Sequence, residues 1–87
     1  MLRLQRTRKF ERDYAALPER IKDAADRKLR LFAEAPRHPS LRLKRVGGSV
    51  ALWEISINMQ YRVTLSFPEE NLALLERIGT HSVLDQP

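Results

Sequence analysis

Apolar residues of this chain recur every three to four positions between Phe10 and Phe32, and every second position from Ala51 onward. Periods of about 3.6 and 2 belong to helices and strands respectively. The chain is therefore predicted to be helical in its first half and sheet-forming in its second. Pro36 lies at the change of period. One helical layer packed on one sheet is the arrangement that buries both kinds of apolar face. With 87 residues there is room for one core, so a single domain spanning 1–87 is expected.

The elements can be placed more closely. Leu2 to Gln5 alternates and predicts a short first strand. Thr7 is positioned to cap a helix, RKFERDYAAL, with Phe10, Tyr14 and Leu17 on one face. Pro18 suits the first turn of a second helix, PERIKDAADRKLRLFAEA, whose stripe is Ile21, Ala25, Leu29 and Phe32. Ala24, Lys28 and Leu31 flank that stripe, and Pro36 ends the helix. Joined by so little chain, the two helices should fold back as a hairpin. SLRLKRV then alternates, and Gly47–Gly48 marks a turn. In SVALWEISI, Ala51, Trp53, Ile55 and Ile57 share one face. YRVTLSF puts Tyr61, Val63, Leu65 and Phe67 on one face and Arg62, Thr64 and Ser66 on the other. PEEN reads as a hairpin loop and LALLERI as the last strand. The fold class is α+β, in the order β-α-α-β-β-β, with a helical hairpin on one face of a mainly antiparallel sheet. The opposite face, carrying Arg62, is expected to meet water or a ligand.

Charge narrows the partners. The net charge is +5, yet residues 47–87 carry two basic and five acidic groups. Residues 36–46 carry four basic groups, Arg37, Arg42, Lys44 and Arg45, and no acid. Such a patch attracts nucleic acid, anionic lipid or an acidic protein, and equally serves as a solvated surface. Cysteine is absent, which excludes disulfides and thiolate sites. The two histidines, His38 and His81, are 43 positions apart and form no ligand spacing, so no metal or other cofactor is expected. No apolar run approaches the ~20 residues of a membrane span. MLRLQRTRKF lacks the apolar core of a secretory signal. A cytoplasmic protein with no membrane partner is expected.

Two residues invite chemistry. Arg62 sits mid-strand, where it either pairs across strands with Glu54 or Glu76 or clamps a phosphate. His81 follows a Gly-Thr turn, and is either an idle surface residue or a proton-transfer group active near neutral pH.

The element order, together with HPSLRLKRVGG, LWEISINMQYRV and RIGTHSVL, resembles the RelE/ParE superfamily of toxins from type II toxin–antitoxin modules. The resemblance spans essentially the whole chain, which would make it a single RelE-like toxin domain. It is nearest the RelE/YafQ/YoeB-like branch of mRNA interferases. That branch implies a metal-independent endoribonuclease that cleaves mRNA on the ribosome and so inhibits translation. The implied chemistry is attack of a ribose 2′-hydroxyl on the adjacent phosphate, with general acid/base catalysis. By the same resemblance, His81 matches the near-terminal general acid or base, and Arg62 the arginine on the scissile phosphate. Lys44 matches the basic position before the glycine turn, extended by Arg42, Arg45 and Arg37, and His38 matches a histidine after the second helix. Ser56 stands where YafQ-like members carry a histidine, and Ser82 where YoeB-like members carry an aromatic. Glu54 is the carboxylate left to act as base. Implied partners are a cognate antitoxin, mRNA with the ribosome, and operator DNA only through the antitoxin complex. The superfamily also offers an alternative: a ParE-like inhibitor of DNA gyrase, or a degenerate module that only binds antitoxin.

Overall fold

Thr7 ends one element and starts the next. In the computed structural model, which describes residues 1–87, strand β1 (Arg3–Arg6) stops here and helix α1 (Arg8–Ala15) begins. The Thr7 hydroxyl accepts from the Phe10 N–H at 3.0 Å, satisfying an orphan donor of the first turn. It also donates to the Glu76 carbonyl at 2.7 Å, which ties the helix start to the last strand. Thr7→Ala is expected to lower unfolding stability by about 1–2 kcal/mol, read by urea denaturation, with Thr7→Ser restoring most of it.

Helix α2 (Glu19–Glu34) buries the predicted stripe, Ile21, Ala25, Leu29 and Phe32. Pro18 lies just outside the first turn, as the extended cap residue whose carbonyl accepts from Ile21 and Lys22. Ala35, squeezed by the following Pro36, leaves the helical region and ends the helix.

Four further strands follow: β2 (Lys44–Arg45), β3 (Trp53–Ser56), β4 (Arg62–Glu69) and β5 (Leu72–Gly79). Their order across the sheet is β1-β5-β4-β3-β2, with β1 parallel to β5 and all other pairs antiparallel. The α+β class and mainly antiparallel sheet are as expected, with one more strand after the helices than expected. That strand, β2, is short. Pro39–Leu41 winds into a 3-10 turn and Arg42 is left-handed (φ 53°), so SLRLKRV pairs only at its end. β3 is shorter than its alternation suggested, and Ala51 is exposed outside it. PEEN, by contrast, is not all loop: β4 runs through Glu69 and the turn is confined to Glu70–Asn71. Pro68 falls in a register irregularity between Ser66 and Glu69, past the last residue paired by β3, where a missing N–H is tolerated. A last short helix, α3 (Ser82–Asp85), was not predicted.

The core joins Phe10, Ala25, Leu29 and Phe32 of the helices to alternate residues of β3, β4 and β5. Within β5, Leu75 faces Leu65 while Arg77 faces Thr64, so Glu76 is an extra, bulged residue. The bulge returns Ile78 to the face of Leu75, and both are buried.

Where β1 stops, α1 takes its place beside β5. Asp13 accepts from the Ile78 N–H at 3.2 Å, the contact a neighbouring strand would otherwise supply. It also takes Arg77 in a two-point clamp, Nε at 3.0 Å and Nη2 at 2.9 Å. Burial alone would raise the Asp13 pKa; the Arg77 and Ile78 hydrogen bonds and the positive charge of Arg77 and Lys9 outweigh it, leaving the pKa lowered. No helix is long and apolar enough to cross a membrane.

Candidate active site

Directly paired residues share a sheet face, so the register arranges the polar side chains in rows. One row runs Lys44, Glu54, Thr64; the next runs Ser56, Arg62, Gly79. Both lie opposite the helical hairpin. The alternation of YRVTLSF therefore placed Arg62 and Thr64 on the correct face.

That face is not open, as had been expected. After Gly79 the chain turns back and lays α3 over β4 and β5. A Cβ at Gly79 would lie 2.8 Å from Val83 Cγ1, so the helix rests directly on strand backbone. Val83 is buried, Thr64 is fully buried, and Glu54 and Ser56 are 5% and 9% exposed. The cover comes from residues too few to show a period. The Thr64 hydroxyl has no hydrogen-bond partner. Thr64→Val is thus expected to stabilise the protein by about 1 kcal/mol in urea denaturation, because it removes an orphaned polar group. Ser66→Ala should do the reverse by a similar amount, since Ser66 donates to Glu76 at 3.0 Å.

Arg62 is held from several sides. Its Nη1 donates to the carbonyls of Asn58 (2.5 Å) and Tyr61 (3.1 Å). Asn58 builds the turn beneath it, its side-chain oxygen accepting from the Gln60 and Tyr61 N–H groups at 2.9 and 2.8 Å. Arg62 Nε lies 3.7 Å from Glu54 Oε1, beyond hydrogen-bond length, with the two side chains 12% and 7% exposed. The pair is diagonal across β3 and β4, and Nη2 is uncommitted. Glu54 takes no hydrogen bond from the protein, so its carboxylate keeps its acceptor capacity. Glu76, the other candidate partner for Arg62, is engaged by Ser66 instead.

His81 is exposed at the start of α3, two residues past Gly79, the strand partner of Arg62. Its ring makes no hydrogen bond. Arg62 and Glu54 thus share one face, with Lys44 beside Glu54 on the adjoining strand and His81 two residues past the strand partner of Arg62.

The basic segment, expected as one patch, is divided by strand alternation. Lys44 falls on the Glu54 face, while Arg45 pairs with Trp53 on the other and stacks 5.2 Å above its ring. Arg37, His38 and Arg42 gather with Trp53 around a cavity of about 210 Å³. His38 has a structural task there: its Nδ1 accepts from the Ser40 N–H at 3.2 Å and caps the 3-10 turn. Four of the five predicted RNA-gripping residues therefore surround Trp53, and one adjoins Glu54.

The sequence matches no protein-family model and no curated protein. Solved structures do match over nearly the whole chain. A chain of the E. coli DinJ–YafQ toxin–antitoxin complex aligns with TM-score 0.77 at 17% identity, covering 97% of this chain and 98% of its own. A chain of the intact E. coli RelBE toxin–antitoxin complex gives 0.72 at 16%, covering 92% and 96%. The YoeB/ParE toxin of Agrobacterium tumefaciens gives 0.73 at 14%, covering 92% and 99%. This chain has a RelE-like fold. At these identities the likeness is one of fold: the path of the chain is shared while most side chains differ. In this RelE-like fold the polar face between β3 and β5 and the cluster around Trp53 are two places where charged residues converge.

Proposed function

We propose that the chain is the toxin of a type II toxin–antitoxin pair and an endoribonuclease that cleaves mRNA on the ribosome, in the cytoplasm. The observation that carries this reading is the Arg62–Glu54 pair on one sheet face of a RelE-like fold, with His81 two residues past the strand partner of Arg62. Arg62 directs its uncommitted Nη2 at a phosphate oxygen and stabilises the charge that gathers on phosphorus. Glu54, with its unused lone pairs, takes the proton of the ribose 2′-hydroxyl. The O2′–P bond forms, the P–O5′ bond breaks, and His81 gives the departing O5′ its proton. The products are a 2′,3′-cyclic phosphate and a 5′-hydroxyl. Lys44 and the Trp53 cluster of Arg37, His38, Arg42 and Arg45 hold the flanking backbone. The partner is an antitoxin, and operator DNA is contacted only through the antitoxin complex.

Primer extension on cellular RNA after induction tests this. New transcript ends are expected with the wild type, and at least tenfold fewer with His81→Ala. Intact transcripts in an arrested culture would sink the nuclease reading.

A ParE-like gyrase inhibitor is the second reading, favoured by one observation. Arg62 is fastened by Asn58, Tyr61 and Glu54 and is nearly buried, an arrangement that stands without any substrate. Trapped gyrase–DNA breaks without transcript cleavage would establish that reading, and arrest with neither would leave a module that only binds antitoxin.

A further inference from the structure

The Trp53 side of the sheet carries a cavity that the chemistry at Arg62 leaves unused. Trp53 precedes Glu54 on β3 and pairs with Leu65 of the core, so it faces the helices while Glu54 faces away from them. Its ring meets Phe67 edge-on at 5.8 Å, and Phe67 meets the fully buried Phe32 at 6.4 Å. These rings lead from the core toward the surface, where the end of α2 passes the start of β1. A cavity of about 470 Å³ opens there, lined by Leu2, Ala33, Leu43, Trp53 and Phe67. Small-molecule sites are ordinarily about 300–1,000 Å³. The basic cavity of about 210 Å³ adjoins it, the two sharing Arg37, Leu43 and Trp53.

The two parts differ in charge. The smaller has Arg37, His38 and Arg42 and no acid, and neither arginine enters an ion pair. His38 Nδ1 accepts from the Ser40 N–H, so the neutral ring carries its proton on Nε2 and has a donor to offer. Arg42, at φ 53°, is the one residue other than glycine with a positive φ. Glycine would sit there without strain, so the guanidinium is kept at a cost to the backbone. The larger part has the exposed carboxylates of Glu34 and Glu70 in its lining, also free of ion pairs. A ligand that fills both parts needs a negative charge at one end and a flat apolar body bearing hydrogen-bond donors at the other. A nucleotide has that order, from phosphate to amine-bearing base. An acyl chain would have nothing to donate to the two carboxylates.

We infer that this double cavity binds one nucleotide, with its base against Trp53 and Phe67 and its 5′-phosphate on Arg37 and Arg42. The His38 Nε2–H adds a bond to the phosphate, and the exocyclic amine of the base faces Glu34 and Glu70. Arg45, 5.2 Å over the Trp53 ring, holds that ring in place. The nucleotide is either free or one unit of an RNA strand. Only the second source rests on the nuclease reading: there, the transcript rounds the edge of the sheet from Lys44 on one face of β2 to Arg45 on the other.

Trp53 is the single tryptophan of the chain, so its fluorescence reports the cavity directly. The full chain is titrated with adenosine 5′-monophosphate, and adenosine and ribose 5-phosphate are titrated as competitors. The nucleotide should quench saturably, and each of its two parts should bind at least about tenfold more weakly. Arg37→Glu should weaken nucleotide binding by about tenfold or more. Arg42→Gly should do the same without lowering the thermal midpoint, since glycine takes this conformation freely. Arg20→Glu makes the same charge change as Arg37→Glu at the far end of α2, and should leave the affinity within about twofold. No saturable quenching by about 10 mM overturns the proposal. So does equal binding of either part, or an equal loss with Arg20→Glu. A 2′-O-methylated pentaadenylate, which cannot be cut, assigns the source. Binding at least about tenfold tighter than the monomer means an RNA strand, equal binding means a free nucleotide, and both uphold the cavity. Transcript cleavage is measured with the same variants. Cleavage by a chain that binds no nucleotide defeats the cavity only, and binding without cleavage defeats the nuclease only.

Discussion

Arg62→Ala is expected to reduce RNA cleavage by about 100- to 1,000-fold, the usual cost of removing one preorganised donor from a charge-building transition state. The same change has a structural effect that must be separated from it. It strands Glu54, 5% exposed, without its cation. Removing one partner of a buried pair costs about 3 kcal/mol or more, much of it from the orphaned charge. The double variant Arg62→Ala/Glu54→Ala removes that orphan. Stability should recover in part, as seen by urea denaturation, while cleavage should not. A double variant that folds well and still cuts transcripts at the wild-type rate would show that the pair is a structural tie, and would move the chemistry elsewhere.

Asp13→Ala should also be among the most damaging single changes outside the apolar core, at about 3 kcal/mol. It leaves the Ile78 N–H and the Arg77 guanidinium without their acceptor in a partly buried setting. Arg77 also donates to the Gln86 carbonyl at 3.1 Å, so the effect should spread to α3 as faster exchange of the Val83 amide. The pH dependence follows from the lowered Asp13 pKa. A carboxylate with a depressed folded pKa adds stability that is complete above its unfolded value. That contribution is lost as pH falls through the folded value. The stability gap between wild type and Asp13→Asn should therefore be flat above about pH 5 and narrow below the ordinary value of 3.8. A gap that widened on acidification would refute the assignment.

Local signals were legible in the sequence and distant ones were not. The α2 stripe needed only a 3.6-residue period, and Ile21, Ala25, Leu29 and Phe32 are the buried residues of that helix. The Thr7 cap needed only its neighbours. The facing of Arg62 and Thr64 needed only alternation. SLRLKRV pairs only at Lys44–Arg45 because Pro39 and the His38 cap outweigh alternation over the rest of so short a run. PEEN failed as a loop because an irregular register accommodates Pro68. The closing of the polar face was hidden, since Val83 gains its meaning from Gly79 across a turn. Asp13 was hidden more deeply, because its partners lie 64 and 65 positions away. Of the candidate site, the sequence pointed to Glu54 as a neighbour of Arg62, and the two are in ionic contact. It did not reveal that the basic segment divides around Trp53.

The parallel pairing of β1 with β5 sets a schedule. Arg3 lies opposite Leu72, and β5 separates β1 from β4, so the sheet has a gap until β5 arrives. Closing a loop of that length costs about 4 kcal/mol in chain entropy, recovered only when the whole interface forms. Non-local pairing of this kind slows folding. During synthesis, everything up to β4 emerges before β5, Gly79 and His81 do. Until they follow, Arg62 and Glu54 stand without the strand and helix that complete their surroundings. The polar face is therefore finished by the last strand and helix to be made, and not by the strands that carry Arg62 and Glu54.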